Sequence, residues 1–111
     1  MLKIIVNELD LPRTLLHLNL DWGWGNGYVL LPKEHKYYGV HYDNIPVDVH
    51  YGLTYSEEVT EGHLKGFDML TPEDIGMWMI GFDTAHYGDN LEKWSKEAVI
   101  AETERLRDQL I

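Results

Sequence analysis

The chain has 111 residues, no cysteine, and 19 acidic against 9 basic side chains, for a formal net charge of −10. That length suits one domain spanning residues 1–111, and the lack of cysteine excludes a disulfide framework, a thiolate nucleophile and any cysteine-based zinc site. A field of this sign repels phosphate backbones, which disfavours direct nucleic-acid binding and suits a basic protein partner.

Four Trp, seven Tyr and two Phe can furnish a core for a domain this small. No apolar run approaches the roughly 20 residues that span a bilayer, and the amino end carries no signal-peptide pattern. The expected setting is the cytoplasm, with no membrane contact.

In chain order, residues 2–9, "LKIIVNEL", read as a strand with Leu2, Ile4 and Val6 on one face. "DLPRT" is a turn, because Pro12 excludes pairing in a central strand. Residues 15–20, "LLHLNL", alternate, with Leu16, Leu18 and Leu20 inward. "DWGWGNG", 21–27, contains an Asn-Gly pair and leads into "YVLL", so 15–31 reads as a hairpin whose connection carries Trp22 and Trp24.

Residues 32–46 are irregular and bounded by two prolines. "VDVHYGLTYS", 47–56, alternates strictly, placing Val47, Val49, Tyr51, Leu53 and Tyr55 on one face and Asp48, His50 and Thr54 on the other. Residues 57–70 read as an acidic surface loop. "TPED", 71–74, has the cap, proline and acid of a helical turn. "MWMIGFD", 77–83, reads as a strand with Trp78, Ile80 and Phe82 on one face, ending at Asp83.

A long helix is expected over 90–109, with Leu91, Trp94, Ala98 and Ala101 at helical spacing and Val99, Leu106 and Leu110 widening the stripe. Strands followed by one helix, without βαβ alternation, predict an α+β fold: a mainly antiparallel sheet of four to five strands with the C-terminal helix packed on one face.

The chemistry-bearing residues gather around six histidines, at 17, 35, 41, 50, 63 and 86. "GFDTAHYGDN", 81–90, brings Asp83, His86 and Asp89 into one short stretch. If its strand neighbours that of His50, then His50, Asp83, His86 and Asp89 form a ligand set for a divalent metal, zinc or manganese. His35 or His41 would add a further ligand. A bound cation would lower the pKa of its water and supply a hydrolytic nucleophile, with Asp48 or Glu34 taking a proton.

The same residues have plainer roles available. Asp89 and Glu92 are spaced as a capping box, Asp83 suits an Asx turn, and Gly88 suits a positive φ. No standard zinc-enzyme spacing and no phosphate-binding loop is present. Neither Ser56 nor Ser95 sits in a nucleophile elbow. Trp22 and Trp24, with His35 and Tyr38 in the tyrosine-rich loop, form a second candidate set, for stacking a planar ligand.

Three stretches taken together, "GYVLLPKEHKYYGVHYDNI", "VDVHYGLTYS" and "WMIGFDTAHYGDN", resemble a group of small uncharacterised proteins encoded by bacteriophages and prophages. Their pattern runs close to YV-x-x-P-x-x-H-x-x-YG, VHGGLTYS and GFD-x-AH-x-GD. The similarity covers roughly residues 27–90, with Tyr51 where the pattern has glycine and Lys36 where it has proline. The resemblance implies a phage-type protein in an infected or lysogenic host, and His35, His50, Asp83, His86 and Asp89 match its polar positions. It carries over no catalytic role.

Two functions are therefore expected in parallel. One is a metal-binding, hydrolytic accessory protein. The other is a non-enzymatic acidic binder of the counter-defence type, inhibiting a host factor or sequestering a small nucleotide signal. A purely structural role is the remainder.

Overall fold

The structure, a computed structural model, describes residues 1–9 and 21–111. The turn expected at 10–14 and the strand expected at 15–20 lie outside the described residues.

Among the described residues, four strands form one antiparallel sheet: β1 (Ile4–Glu8), β2 (Gly25–Leu31), β3 (Tyr55–Glu58) and β4 (Trp78–Asp83). Their spatial order is β1-β2-β4-β3. One helix, α1 (Lys96–Asp108), packs across β1 and β2, which makes the α+β expectation a finding. Short 3-10 turns at Tyr42–Asn44, Glu61–Lys65 and Pro72–Asp74 complete the regular structure. No helix among the described residues is long and apolar enough to cross a membrane.

Period-two alternation sorts the strand side chains into two layers. Val29, Leu31, Ile80 and Phe82 face α1 and join Val99, Leu106 and Leu110 in the main core. Ile5, Tyr28, Leu30 and Met79 face the other way, covered by Val59, Leu70, Phe67 and Leu64. A 13-residue helix is marginal in isolation, so α1 is held by this burial, each buried Leu or Val contributing about 1.5–3 kcal/mol.

Helix and sheet approach closely at Gly27. A Cβ there would overlap Thr103 Oγ1 and lie 2.7 Å from Phe82 Cε1. On the opposite face the Tyr28 ring lies over Gly81, where a Cβ would overlap Cδ1 of that ring.

Three expectations are corrected. Asn26 and Gly27 are not a hairpin turn: they lie within β2, opposite Asn7 and Val6 of β1. The bare Gly27 is needed for helix contact rather than for a turn, and sequence spacing does not distinguish the two uses.

The 47–56 alternation also does not make one strand. Only Tyr55–Glu58 pairs with β4, and the chain turns at His50–Gly52, where Tyr51 has φ 57° and Gly52 has φ 77°. Side chains of α1 take the place of a strand partner. Gln109 Oε1 accepts from Asp48 N at 2.8 Å, Gln109 Nε2 donates to Asp48 O at 2.7 Å, and Glu102 Oε2 accepts from His50 N at 2.8 Å. Val49 and Leu53 still reach the core, so the alternation was a burial signal without a ladder.

The helix begins six residues later than expected. Ser95, not Asp89, is its N-cap, its hydroxyl accepting from Ala98 N at 3.2 Å. Leu91 and Ala101 are exposed, and the buried seam runs through Val99, Thr103 and Leu106 to Leu110.

The far layer is anchored by one ion pair. Lys3 Nζ lies 2.7 Å from Asp74 Oδ2, which also accepts from Thr71 N at 2.8 Å. Burial pushes the Asp74 carboxyl up, but the Lys3 ammonium and the Thr71 donors outweigh it and hold it below the ordinary carboxylate range.

Candidate functional site

His50, Asp83, His86 and Asp89 do converge, as two His–Asp pairs. The segment that turns at His50–Gly52 carries His50 to the end of β4, where Asp83 is the last strand residue and the loop that follows supplies His86 and Asp89.

In the first pair, His50 Nε2 lies 2.9 and 3.0 Å from the two carboxylate oxygens of Asp89. The Asp89 side chain is 3% exposed and that of His50 14%. Asp89 Oδ2 also accepts from His86 N at 2.9 Å, and Asp89 N donates to His86 O at 3.0 Å. Asp89 therefore closes the 86–89 turn and orients His50 with the same carboxylate. Gly88, with φ 89°, gives that turn its positive-φ corner, as expected.

In the second pair, His86 Nε2 lies 3.0 Å from Asp83 Oδ1. The approach lacks hydrogen-bond alignment, and Nε2 is buried with no hydrogen-bond partner among the described residues. Asp83 accepts instead from neutral donors: Ala85 N at 3.0 Å, the expected Asx turn, and Thr54 Oγ1 at 3.1 Å.

Aromatic rings frame the pairs. Tyr51 stacks on His86 at 4.3 Å with an interplanar angle of 6°, and its hydroxyl donates to Tyr87 O at 3.0 Å. The His50 ring lies 4.2 Å from Trp94. Tyr51 is the one non-glycine with positive φ among the described residues. At φ 57° its backbone carries strain of order 1–3 kcal/mol, in a residue whose ring covers His86.

A carboxylate–imidazole pair can orient a base, but among the described residues no serine or threonine hydroxyl is bonded to His50. Ser56 Oγ accepts from Tyr42 N, Ser95 Oγ caps α1, and Thr84 Oγ1 donates to Gly25 O. Among the described residues, no three His, Asp or Glu side chains are grouped to hold a metal ion. His50 Nε2 and the Asp89 carboxylate face one another, which occupies the lone pairs a cation would take.

The remaining candidates lie elsewhere. Both ring nitrogens of His35 are engaged: Nδ1 accepts from Tyr37 N at 3.1 Å and Nε2 lies 2.7 Å from Leu110 O, so His35 ties the end of the chain to the 32–41 loop. The Tyr38 hydroxyl donates to Gly76 O at 2.6 Å. Trp22 is 5% exposed, with no face open for stacking, and Trp24 packs on the core beneath Lys96. His41 caps the Tyr42–Asn44 turn through Asp43 N. Asp48 is solvent-exposed and pairs with Arg105, while Glu34 is exposed beside His35.

Comparison with family models, with curated proteins and with solved structures finds no match to this chain.

Residues that composition did not single out complete the site. A cleft of about 470 Å³ opens at the end of the sheet, lined by Asn26, Tyr28, Thr54, Tyr55, Asp83 and His86, with Leu9, Phe82 and Ala85. Asn7, Asn26 and Asp83 form a row across β1, β2 and β4, because the register pairs Asn7 with Asn26 and Asn26 with Asp83. Asn26 Nδ2 donates to Asn7 Oδ1 at 3.1 Å, leaving Asn26 Oδ1 buried without a hydrogen-bond partner. Burial, reinforced by the Asp83 charge and only partly opposed by Asn26, pushes the Tyr28 hydroxyl up to about 12. It therefore stays a protonated donor across the physiological range. The signal for this row was strand register, which a single sequence does not display.

The site is braced from α1. Glu102, whose Oε2 holds His50 N, is gripped by Arg105 at 2.8 and 2.9 Å. Burial raises the Glu102 carboxyl, but Arg105 and the His50 N–H prevail and hold it below its ordinary value. Asp74 and Glu102 are thus both depressed when folded. Their stabilisation is complete above the unfolded carboxylate range near pH ~4 and is lost as pH falls through the lower folded values. Urea unfolding across pH should show an acid limb on which stability falls as pH drops below ~4. The double variant Asp74→Asn/Glu102→Gln should flatten that fall, and an unchanged acid slope would contradict the assignment.

Proposed function

We propose that this chain is a small phage-type accessory protein that works by capturing a ligand in the cleft at the end of its sheet, rather than by metal-assisted hydrolysis. The observation that carries this reading is the buried, unpartnered Asn26 Oδ1, on a cleft also lined by His86, whose buried Nε2 meets Asp83 at 3.0 Å without hydrogen-bond alignment. A buried polar atom without a partner costs about 1–3 kcal/mol, and a ligand that supplies the missing hydrogen bond recovers that cost. His50–Asp89 then serves as the brace that fixes the 86–89 turn, and Tyr51 as the cover on the outer face of His86.

The polar positions of the phage-type pattern support the reading, since His50, Asp83, His86 and Asp89 come from two separate motifs and meet at this one place.

Asn26→Val tests the reading. Valine suits a strand and removes the orphaned acceptor, so stability should change by no more than about 1 kcal/mol in either direction. Ligand-induced shifts in an amide NMR screen of small polar fragments should vanish from residues 26, 54 and 86. Fragment binding that survives Asn26→Val and His86→Ala alike would sink the proposal.

A further inference from the structure

Resting on the ligand-binding reading of this cleft, the geometry points to the ligand's chemical class: we infer that the cleft takes a guanidinium group.

The acceptors are in place. Asn26 Oδ1 has two unused lone pairs. Asp83 Oδ1 accepts from Ala85 N and has His86 Nε2 3.0 Å away, whereas Oδ2 accepts only from Thr54 Oγ1 and keeps capacity for a further donor. As cross-strand partners on β2 and β4, Asn26 and Asp83 project from the same face with Cβ atoms roughly 4.5–5.5 Å apart. A planar fork of N–H donors spans two such acceptors, whereas an ammonium point charge engages them less fully. To present the buried Oδ1 at the opening, Asn26 turns about its soft terminal torsion and gives up the Nδ2 bond to Asn7.

The walls fit a flat cation as well. Tyr55, half-buried and set edge to face on the buried Tyr28 with centroids 5.3 Å apart, offers ring surface beside the acceptors. Among the described residues no lysine or arginine lines the cleft, so a phosphate would meet Asp83 without a counter-charge from them. That argues against a nucleotide, the other ligand the acidic binder reading allows. The net charge of −10 concentrates cations at the surface.

A guanidinium can come from a protein side chain or from a free small molecule, and the experiment separates the two. Amide NMR titrations would use Nα-acetylarginine methylamide, its uncharged citrulline analogue, adenosine monophosphate, and a Gly-Gly-Arg-Gly-Gly peptide. Expected are saturable shifts at Asn26, Thr54 and His86 with the arginine amide, at least tenfold weaker binding of the citrulline analogue, and at least tenfold loss in Asp83→Asn. The effect should also weaken as salt is raised, which tests the charge without a variant.

Tighter binding of the peptide than of the amide supports a protein side chain as the source, and equal binding supports a small molecule. Equal binding of arginine and citrulline probes overturns the guanidinium assignment. Shifts from the nucleotide alone overturn it too, while leaving ligand capture standing. If no probe and no polar fragment moves the cleft residues, both readings fall.

Discussion

Gly27→Ala is expected to lower stability by about 3 kcal/mol, a large share of the 5–15 kcal/mol typical of a domain this size. The added Cβ enters space already filled by Thr103 and Phe82, both fully buried. Thr103 Oγ1 is held at 2.7 Å by Val99 O, so it does not swing aside freely. Relief requires lifting α1 from the sheet, which opens the main core along its length. Urea denaturation should report the loss as a lower midpoint. Gly27→Ala/Thr103→Ala should be more stable than the sum of the two single losses predicts, because removing the hydroxyl relieves one of the two overlaps. Strict additivity, or a Gly27→Ala protein of wild-type stability, would mean that helix and sheet do not approach this closely.

The second large effect belongs to Asp89. Asp89→Ala removes a carboxylate that is nearly sealed from water and serves both His50 and the 86–89 turn, for an expected loss of about 3 kcal/mol. Asp89→Asn keeps an acceptor for the His86 N–H and should cost about 1–2 kcal/mol. The control is Glu92→Ala, expected to stay within about 0.5 kcal/mol because Glu92 is exposed and outside α1. Ser95→Ala, at the real cap, should cost about 1 kcal/mol. Thermal unfolding of the four variants checks the order. A costly Glu92→Ala beside a harmless Ser95→Ala would restore the capping box at Asp89.

Much of the fold was legible because the core strands carry their burial in their alternation. Trp78, Ile80 and Phe82 face α1 while Met79 faces the other layer, as period two requires. The errors came where one pattern serves two structures. Asn-Gly is favoured in hairpins, yet Gly27 is small for the sake of Thr103. Residues 47–53 alternate like a strand, yet their backbone groups at Asp48 and His50 are satisfied by Gln109 and Glu102, more than 50 positions away. Asp89 with Glu92 and Ser95 both look like helix starts, and Ser95 is the one from which the buried Val99–Thr103–Leu106 seam follows at helical spacing.

The candidate site was half legible. His50, Asp83, His86 and Asp89 were singled out by residue type and do meet. Asn26, Tyr28 and Thr54 were not, since their place beside Asp83 depends on the β2–β4 register and on the turn at Tyr51. The second ligand set dissolved for a related reason: His35, Tyr38 and Trp22 have their polar atoms or faces occupied within the fold.

The strand order also has a kinetic consequence. The central ladder joins residues 25–31 to residues 78–83, and β3 then pairs with β4 from the other side. Such non-local pairing closes a long loop before any contact repays it, which places folding toward the millisecond-to-second end of the range. The cleft needs that ladder, the β3 edge and the 86–89 turn together, so it exists only once the slowest step is complete. A newly made chain would therefore become competent to bind at the rate at which β2 finds β4, and stopped-flow refolding should show cleft reporters and β-sheet signal rising in a single phase.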